Sequence, residues 1–590
     1  MKIKDTGFRI LVLSLLATAA VSCKDFLTEE PLSSIGEATA FSNVINARNA
    51  VLGAYNQLSG DTGYGSRLNL IFCYDNDEMI DAPNNGVPDN SNRDFGRYAV
   101  LPTNSILEPV FRQLYTGIER ANVCIKNIPN MPAYTNGSAA DKAELQRLLG
   151  ESLTLRAQFY FELVRVWGDV PAQWVPSADM PDLSIPKTDR DTIYTKIIRD
   201  LKTAEDIVPW RGDPGVTADQ RLTKGAVKGL RARIALFRGG YSLRRASNQM
   251  ERRPDYLTYY TIARDECADI MQHRSAYNLN PSFQAVFKDN LDAHKIEPTG
   301  EVMFEAVMSG GVSATDGKLG YFDGPRINGK GNGFINALPS YFYLFNQYDT
   351  RRDVTIAAYN GNADGTKVGQ TTTNLYDGKF RRDWITNPVV DVNSAGQYFS
   401  VNWPILRFAD VLLMFAEAEN ELNKQPTAAG IAAYEEVRKR GFAGNTNQIG
   451  TTPVTYSAFF DAIVDERSLE FGGEGIRKYD LIRWNLLDTK LKAARATMTA
   501  MLNKQGIYAN YPQFMYYKTA STDLIYSNSL YAAAPTTTPT GYTKIAWLSA
   551  ITTTFIGKVA PAFTANHSEL MPIPSTAIAA NPNITQDYGY

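Results

Sequence analysis

The sequence predicts a mostly α-helical fold: a scaffold of helical hairpins carrying irregular, loop-rich insertions that form a ligand face. Three observations predict it. Apolar residues recur at alternating spacings of three and four through much of 106–270 and 405–484. Short loops with capping residues join neighbouring stretches into antiparallel pairs. Residues 275–400 are instead rich in Gly, Asn and Tyr with little helical periodicity, and residues 486–570 carry a Thr- and Tyr-rich stretch. Helices near both ends with irregular stretches between them fit one integrated domain over 23–590. Its scaffold covers about 36–270 and 402–485, with insertions at about 60–100, 275–400 and 486–570.

Composition narrows the function classes. The 590 residues hold 60 Lys and Arg against 62 Asp and Glu, so the formal charge is −2. A nucleic-acid binder needs a basic excess to neutralise phosphates, and none is present. Three histidines in the whole chain leave no room for a His cluster.

Residues 1–22 read as an address. Lys2, Lys4 and Arg9 precede an apolar run from Ile10 to Val21, too short for a spanning helix, which needs about 20 residues. Ser22-Cys23 follows, and a cysteine behind small residues fits a lipoprotein cleavage site, with Cys23 the lipidated residue. Acyl chains there would anchor the protein to a membrane without spanning it. The remaining Cys73, Cys124 and Cys267 have neither disulfide-framework nor zinc spacing; one disulfide among them stays open.

The scaffold elements follow in order. Leu107, Leu114, Ile118, Ala121 and Ile125 line one helical face over 106–129. Residues 139–167 carry two apolar stripes, so that helix must be covered on two sides. Gly168 and Pro171 stop it. Residues 191–208 form another amphipathic helix. Over 222–239, small residues at Gly225, Gly229, Ala232, Ala235 and Gly239 share a face that a neighbour can approach closely. The series Tyr256, Tyr260, Ala263, Cys267, Ile270 continues the pattern. Helices over 405–423 and 428–440 are joined by Lys424-Gln425-Pro426-Thr427, with Thr427 as N-cap and Gly441 as the stop. Residues 457–472 and 476–484 form one more pair. Such hairpins suggest a tetratricopeptide-like solenoid, although no fixed 34-residue period is present.

Several motifs, read together and in order, carry a resemblance. They are Cys23-Lys24-Asp25-Phe26-Leu27 before Glu29-Glu30-Pro31; Arg156-Ala157 through Trp167-Gly168-Asp169-Val170-Pro171; Leu222-Thr223-Lys224-Gly225-Ala226; and Arg407-Phe408-Ala409-Asp410 through Glu417. Glu466-Arg467, Leu469-Glu470-Phe471, Asp480-Leu481 and Arg483-Trp484 follow, then Met571-Pro572-Ile573-Pro574 and Asn581-Pro582-Asn583. The chain resembles the SusD/RagB-type lipoproteins, the surface nutrient-capture components of Bacteroidetes-type bacteria. The resemblance implies four tetratricopeptide-like units as scaffold and lipid anchoring on the outside of the outer membrane. It also implies a partner, a SusC-type TonB-dependent transporter over which the protein sits as a lid. The cargo it implies is an oligosaccharide, or a peptide in some members.

A sugar site needs aromatic rings for the C–H faces and polar groups for the hydroxyls, displayed on loops over a rigid frame. Tyr74, Asp75 and Asp77 with Arg93 and Tyr98 make one such loop; Tyr321 and Phe322 make another. The bland alternative is that these rings pack beneath long loops. Gly329-Lys330-Gly331-Asn332-Gly333 reads as a flexible turn near that face, not a phosphate loop. Glu466 and Glu470, four apart on a helix, could serve as a glycosidase pair; the structural alternative is that Arg467, Arg477 and Arg483 neutralise them. The sequence therefore points to a non-enzymatic glycan-binding protein without cofactor, with a peptide-binding relative and a lipid-anchored glycosidase as competing readings. Scattered Asp and Asn would permit a structural calcium, but no spaced motif demands one.

Overall fold

The structure, a computed structural model, describes residues 36–81, 86–216, 220–308 and 316–590. The signal segment and Cys23 lie outside these residues. The first scaffold helices are α1 (Val44–Tyr55), α2 (Leu107–Asn127), α3 (Ala139–Trp167), α4 (Arg190–Ile207), α5 (Lys224–Arg238) and α6 (Tyr256–Gln272). Each packs on the next. α3 begins where the Ser138 hydroxyl accepts the Asp141 N–H at 3.1 Å. Every residue from Gly150 to Val164 is buried, because α2 covers one side of α3 and α4 the other. Each large apolar side chain so buried contributes about 1.5–3 kcal/mol, well above the ~1 kcal/mol of a cap. The small face of α5 admits side chains from elsewhere: Leu406 seats against Gly229 and Tyr277 against Gly225.

The second half of the scaffold is α7 (Phe408–Asn423), α8 (Ala428–Gly441), α9 (Tyr456–Phe471), α10 (Arg477–Arg483) and α11 (Leu487–Leu502). α6 packs directly on α7 although residues 273–407 intervene, so the stack is continuous in space while broken in sequence. The α7–α8 turn forms as read, with Thr427 Oγ1 accepting the Gly430 N–H at 3.0 Å. Two expectations change. The stretch 486–570 opens on a regular helix, α11, whose Leu487, Leu491, Ala494, Met498 and Met501 are buried. The helix expected from 405 starts at Phe408, because residues before it are taken by a strand; the Phe408 N–H bonds Glu301 O at 2.7 Å.

The strands that matter for the ligand face are β1 (Met79–Asp81), β2 (Val302–Ala306), β3 (Ile335–Ala337), β4 (Ile356–Ala357), β5 (Leu375–Asp377) and β6 (Trp403–Arg407). β2 and β6 pair antiparallel, Trp403 opposite Ala306 and Arg407 opposite Val302, and so close the large insertion at its root. β1, β3, β5 and β4 form one antiparallel sheet in that order. The early loop and the middle insertion, far apart in sequence, thus share a single layer.

Candidate ligand face

Pairing of β1 with β3 fixes where the loops emerge. Asp81 lies opposite Ile335, so the C-terminal end of β1 and the N-terminal end of β3 share one end of the sheet. The early loop and residues 316–334 therefore converge at one end of the sheet. Tyr321 and Phe322 stand there half-buried, edge to face at 5.1 Å, and Phe322 meets Phe334 at 5.8 Å. Backbone bonds hold this ridge: Asn332 N–H to Tyr321 O and Phe334 N–H to Phe322 O, both 2.7 Å. Lys318 links it to the early loop. Its N–H bonds Gly65 O at 2.7 Å, and its ammonium lies 3.0 Å from Asp61 Oδ1 and 5.4 Å from the Tyr398 ring centre. The exposed Arg326 bonds Asn332 O twice, at 3.0 and 2.9 Å, bracing the glycine-rich turn.

Other residues expected at this face sit elsewhere. Tyr74 is buried, and its hydroxyl donates to Asp377 Oδ2 at 2.6 Å. Asp75 is buried and accepts the Asp81 N–H at 3.0 Å; burial pushes its carboxyl up to about 6. Tyr98 is buried, bonds Asp75 O, and packs on Phe563 at 5.1 Å. Asp77 is held by both arms of Arg477 at 2.8 and 2.7 Å; burial would raise its carboxyl, but the Arg477 charge wins and holds it below its ordinary range. These four side chains frame the sheet and do not line the face. Tyr74, Asp77 and Tyr98 find Asp377, Arg477 and Phe563 from the middle and C-terminal parts of the chain, so a loop-like local pattern could not reveal their burial. Arg93, Tyr321 and Phe322 remain accessible. Phe334, Tyr398 and Lys318 join the ridge unannounced; only the nearby glycine-rich turn signalled Phe334.

Glu466 and Glu470 belong to a sealed charge network. Arg351 Nη1 lies 2.6 Å from Glu466 and 3.1 Å from Glu470; Arg440 lies 2.5 Å from Glu470 and 2.9 Å from Glu301. Arg407 adds contacts of 2.8 Å to Glu470, 2.6 Å to Glu301 and 2.7 Å to Glu474. Arg438, Lys379 and Asp349 complete it through Glu466, Glu474 and Arg351 at 3.0, 2.5 and 2.7 Å. Five cations balance five carboxylates. Both candidate acids are fully buried and paired, so neither can exchange a proton with a sugar. The neutralising arginines are not those expected. Arg467 instead binds Asp410 and Asp480, Arg477 binds Asp77, and Arg483 binds Glu417 and Asp480. Arg467 follows Glu466 by one residue and so points about 100° around α9 from it.

Among the described residues, no group of three or more His, Cys, Asp or Glu has the arrangement to hold a metal ion. Cys73, Cys124 and Cys267 are each buried as free thiols. No described helix is long and apolar enough to cross a membrane.

Comparison with known proteins matches the chain in two consecutive parts. A family model described as "Starch-binding associating with outer membrane" matches residues 26–236, and the SusD family model matches residues 301–590. SusD-like protein P25 of Formosa agariphila is 26% identical over 527 residues, 82% of this chain and 91% of that protein. The crystal structure of a SusD homolog from Bacteroides thetaiotaomicron superposes with a TM-score of 0.74 at 23% identity, covering 93% of this chain and 97% of that one. Surface glycan-binding protein A from the same species, in complex with laminarihexaose, gives 0.60 at 19% identity, covering 92% and 99%. These likenesses establish the helical, tetratricopeptide-like fold. Since the two family models succeed one another along most of its length, the chain belongs to the SusD family.

Proposed function

We propose that this protein is a non-catalytic, lipid-anchored receptor on the outer face of the outer membrane, which captures oligosaccharide and passes it to a SusC-type TonB-dependent transporter. One observation carries the reading: Tyr321, Phe322 and Phe334 form a half-exposed aromatic ridge on a braced sheet end. Sugar C–H faces stack on such rings, while Lys318, Arg326 and Asn332 beside them supply donors for hydroxyls. The ridge favours sugar over peptide, since it offers flat ring faces, whereas peptide capture works through main-chain pairing and side-chain pockets. The starch-binding description of the matched family model and the laminarihexaose bound by a structural neighbour support the same ligand class. The Ser22-Cys23 cleavage pattern supports the anchor.

Native electrophoresis through gels loaded with starch, laminarin, xylan or mannan tests the proposal. Migration is expected to slow in at least one gel, with no reducing ends released. Tyr321→Ala with Phe322→Ala should weaken retention by about tenfold, from two lost stacking contacts of ~0.5–1.5 kcal/mol each. Unchanged retention removes this face as the site, and polymer cleavage refutes the non-catalytic reading.

A further inference from the structure

A second aromatic face lies beyond the other end of β3. Tyr343, Tyr508, Tyr511 and Tyr531 come from three separate stretches and converge. Ring centres of Tyr343 and Tyr511 lie 4.9 Å apart, Tyr343 and Tyr531 5.4 Å, Tyr508 and Tyr511 5.5 Å. The inner pair is pinned. Tyr343 Oη donates to Leu530 O at 2.9 Å and accepts from the buried Trp547 Nε1 at 2.8 Å. Tyr531 Oη donates to Phe345 O at 2.9 Å and accepts from Arg352 at 3.1 Å. The outer pair, Tyr508 and Tyr511, is half-buried, and neither hydroxyl bonds another described residue.

The surroundings are amide-rich, and the charge that touches these rings, Arg352, is paired with Asp353 at 2.8 Å. Asn346, Gln347, Gln505 and Asn510 are exposed beside these rings in sequence. Residues 339–348, 505–517 and 524–535 contain no Asp, Glu, Lys or Arg, in a chain that is 21% charged. An anionic polymer would call for cations here, and a nucleic acid even more so. Rigidly backed rings with free hydroxyls and neighbouring amides suit a neutral, hydroxyl-rich ligand.

We propose that Tyr508 and Tyr511, backed by Tyr343 and Tyr531, form a second stacking platform for neutral polysaccharide, so that one long strand engages both faces. This rests on the glycan-binding reading above. Phe334 directly precedes β3 and Tyr343 follows it after one short helical turn, so a short stretch of chain joins the two faces. A polymer held at the first face is presented to the second at high effective concentration, which a short oligosaccharide is not.

The test uses whichever of starch, laminarin, xylan or mannan retains the unaltered protein. Tyr508→Ala with Tyr511→Ala should weaken polymer retention by about tenfold while leaving binding of a trisaccharide at the first face unchanged. Tyr508→Phe with Tyr511→Phe keeps the rings and should keep at least half of the affinity. Hydroxyl-radical footprinting of the Tyr321→Ala, Phe322→Ala protein should show polymer protecting Tyr508 and Tyr511, a readout independent of any change to those two residues. Equal polymer retention by the Ala pair, with no protection in the footprint, overturns the second face and leaves the first standing. Failure of every polymer to retain the unaltered protein overturns both.

Discussion

Glu305 shows how one buried side chain writes a pH dependence into the fold. Asn402 Nδ2 donates to its Oε2 at 3.2 Å, and Gln220 also hydrogen-bonds the carboxylate. Burial pushes its carboxyl up to about 7 from an ordinary 4.5. A raised carboxyl is protonated in the folded state while its unfolded counterpart has already ionised. Its contribution is therefore full below about pH 4.5 and is lost as pH rises through about 7. Glu305→Gln keeps the shape and stays neutral. The variant should match the parent at pH 4 and exceed it at pH 8 by up to about 3 kcal/mol, read from urea midpoints. An equal gap at both pH values would rule this out. The same scale explains what the sequence hid at the ligand face. Tyr74-Asp75 and Tyr321-Phe322 look alike as aromatic loop residues, yet the first pair is sealed by Asp377 and Asp81 and the second stays accessible. Only the pairing of β1 with β3 separates them.

Among the elements, helices were legible wherever one face repeated and a cap marked the end. α8 starts directly after Thr427, as that cap residue implies, and α3 spans the two-striped stretch 139–167. α11 had the signal too, at Leu487, Leu491, Ala494 and Met498, but Thr-rich sequence after it masked the period. β6 was not legible, since Ile405 and Leu406 prolong the apolar pattern of α7 without a break. What fastens the elements was least legible of all. Arg351, from the insertion, reaches α9 by passing α8 at Gly441, where a Cβ would come within 2.3 Å of its Nε. There it meets Glu466 and Glu470. Removing one partner of a buried ion pair strands the others, at a cost of about 3–5 kcal/mol. Arg351→Met should therefore lower global stability by that amount, visible as a shifted urea midpoint at constant slope. A loss below about 1 kcal/mol would mean the network is solvated and contributes little.

For the molecule as a whole, the question is whether the solenoid could stand without its insertion. Repeat stacks are held by neighbour contacts, and a simple stack would tolerate opening of a large excursion. Here the excursion is built into the stack. Residues between α6 and α7 supply Glu301, Asp349, Arg351, Lys379 and Arg407 to the network, whereas α8, α9 and the turn after it supply Arg438, Arg440, Glu466, Glu470 and Glu474. Each set alone is nearly balanced, but most of the salt bridges cross between them, so separating the two strips Arg351, Lys379 and Arg407 of Glu466, Glu470 and Glu474 at once. The proposed ligand ridge inherits that rigidity, because it sits on a sheet whose strands β3, β4 and β5 belong to the same excursion. Hydrogen exchange in rising urea should then show amides of β3 and β5 opening at the same midpoint as those of α3 and α7. If the sheet amides open at distinctly lower urea, the excursion is a separate cooperative unit, and the face for sugar is a mobile surface that must be ordered by its ligand.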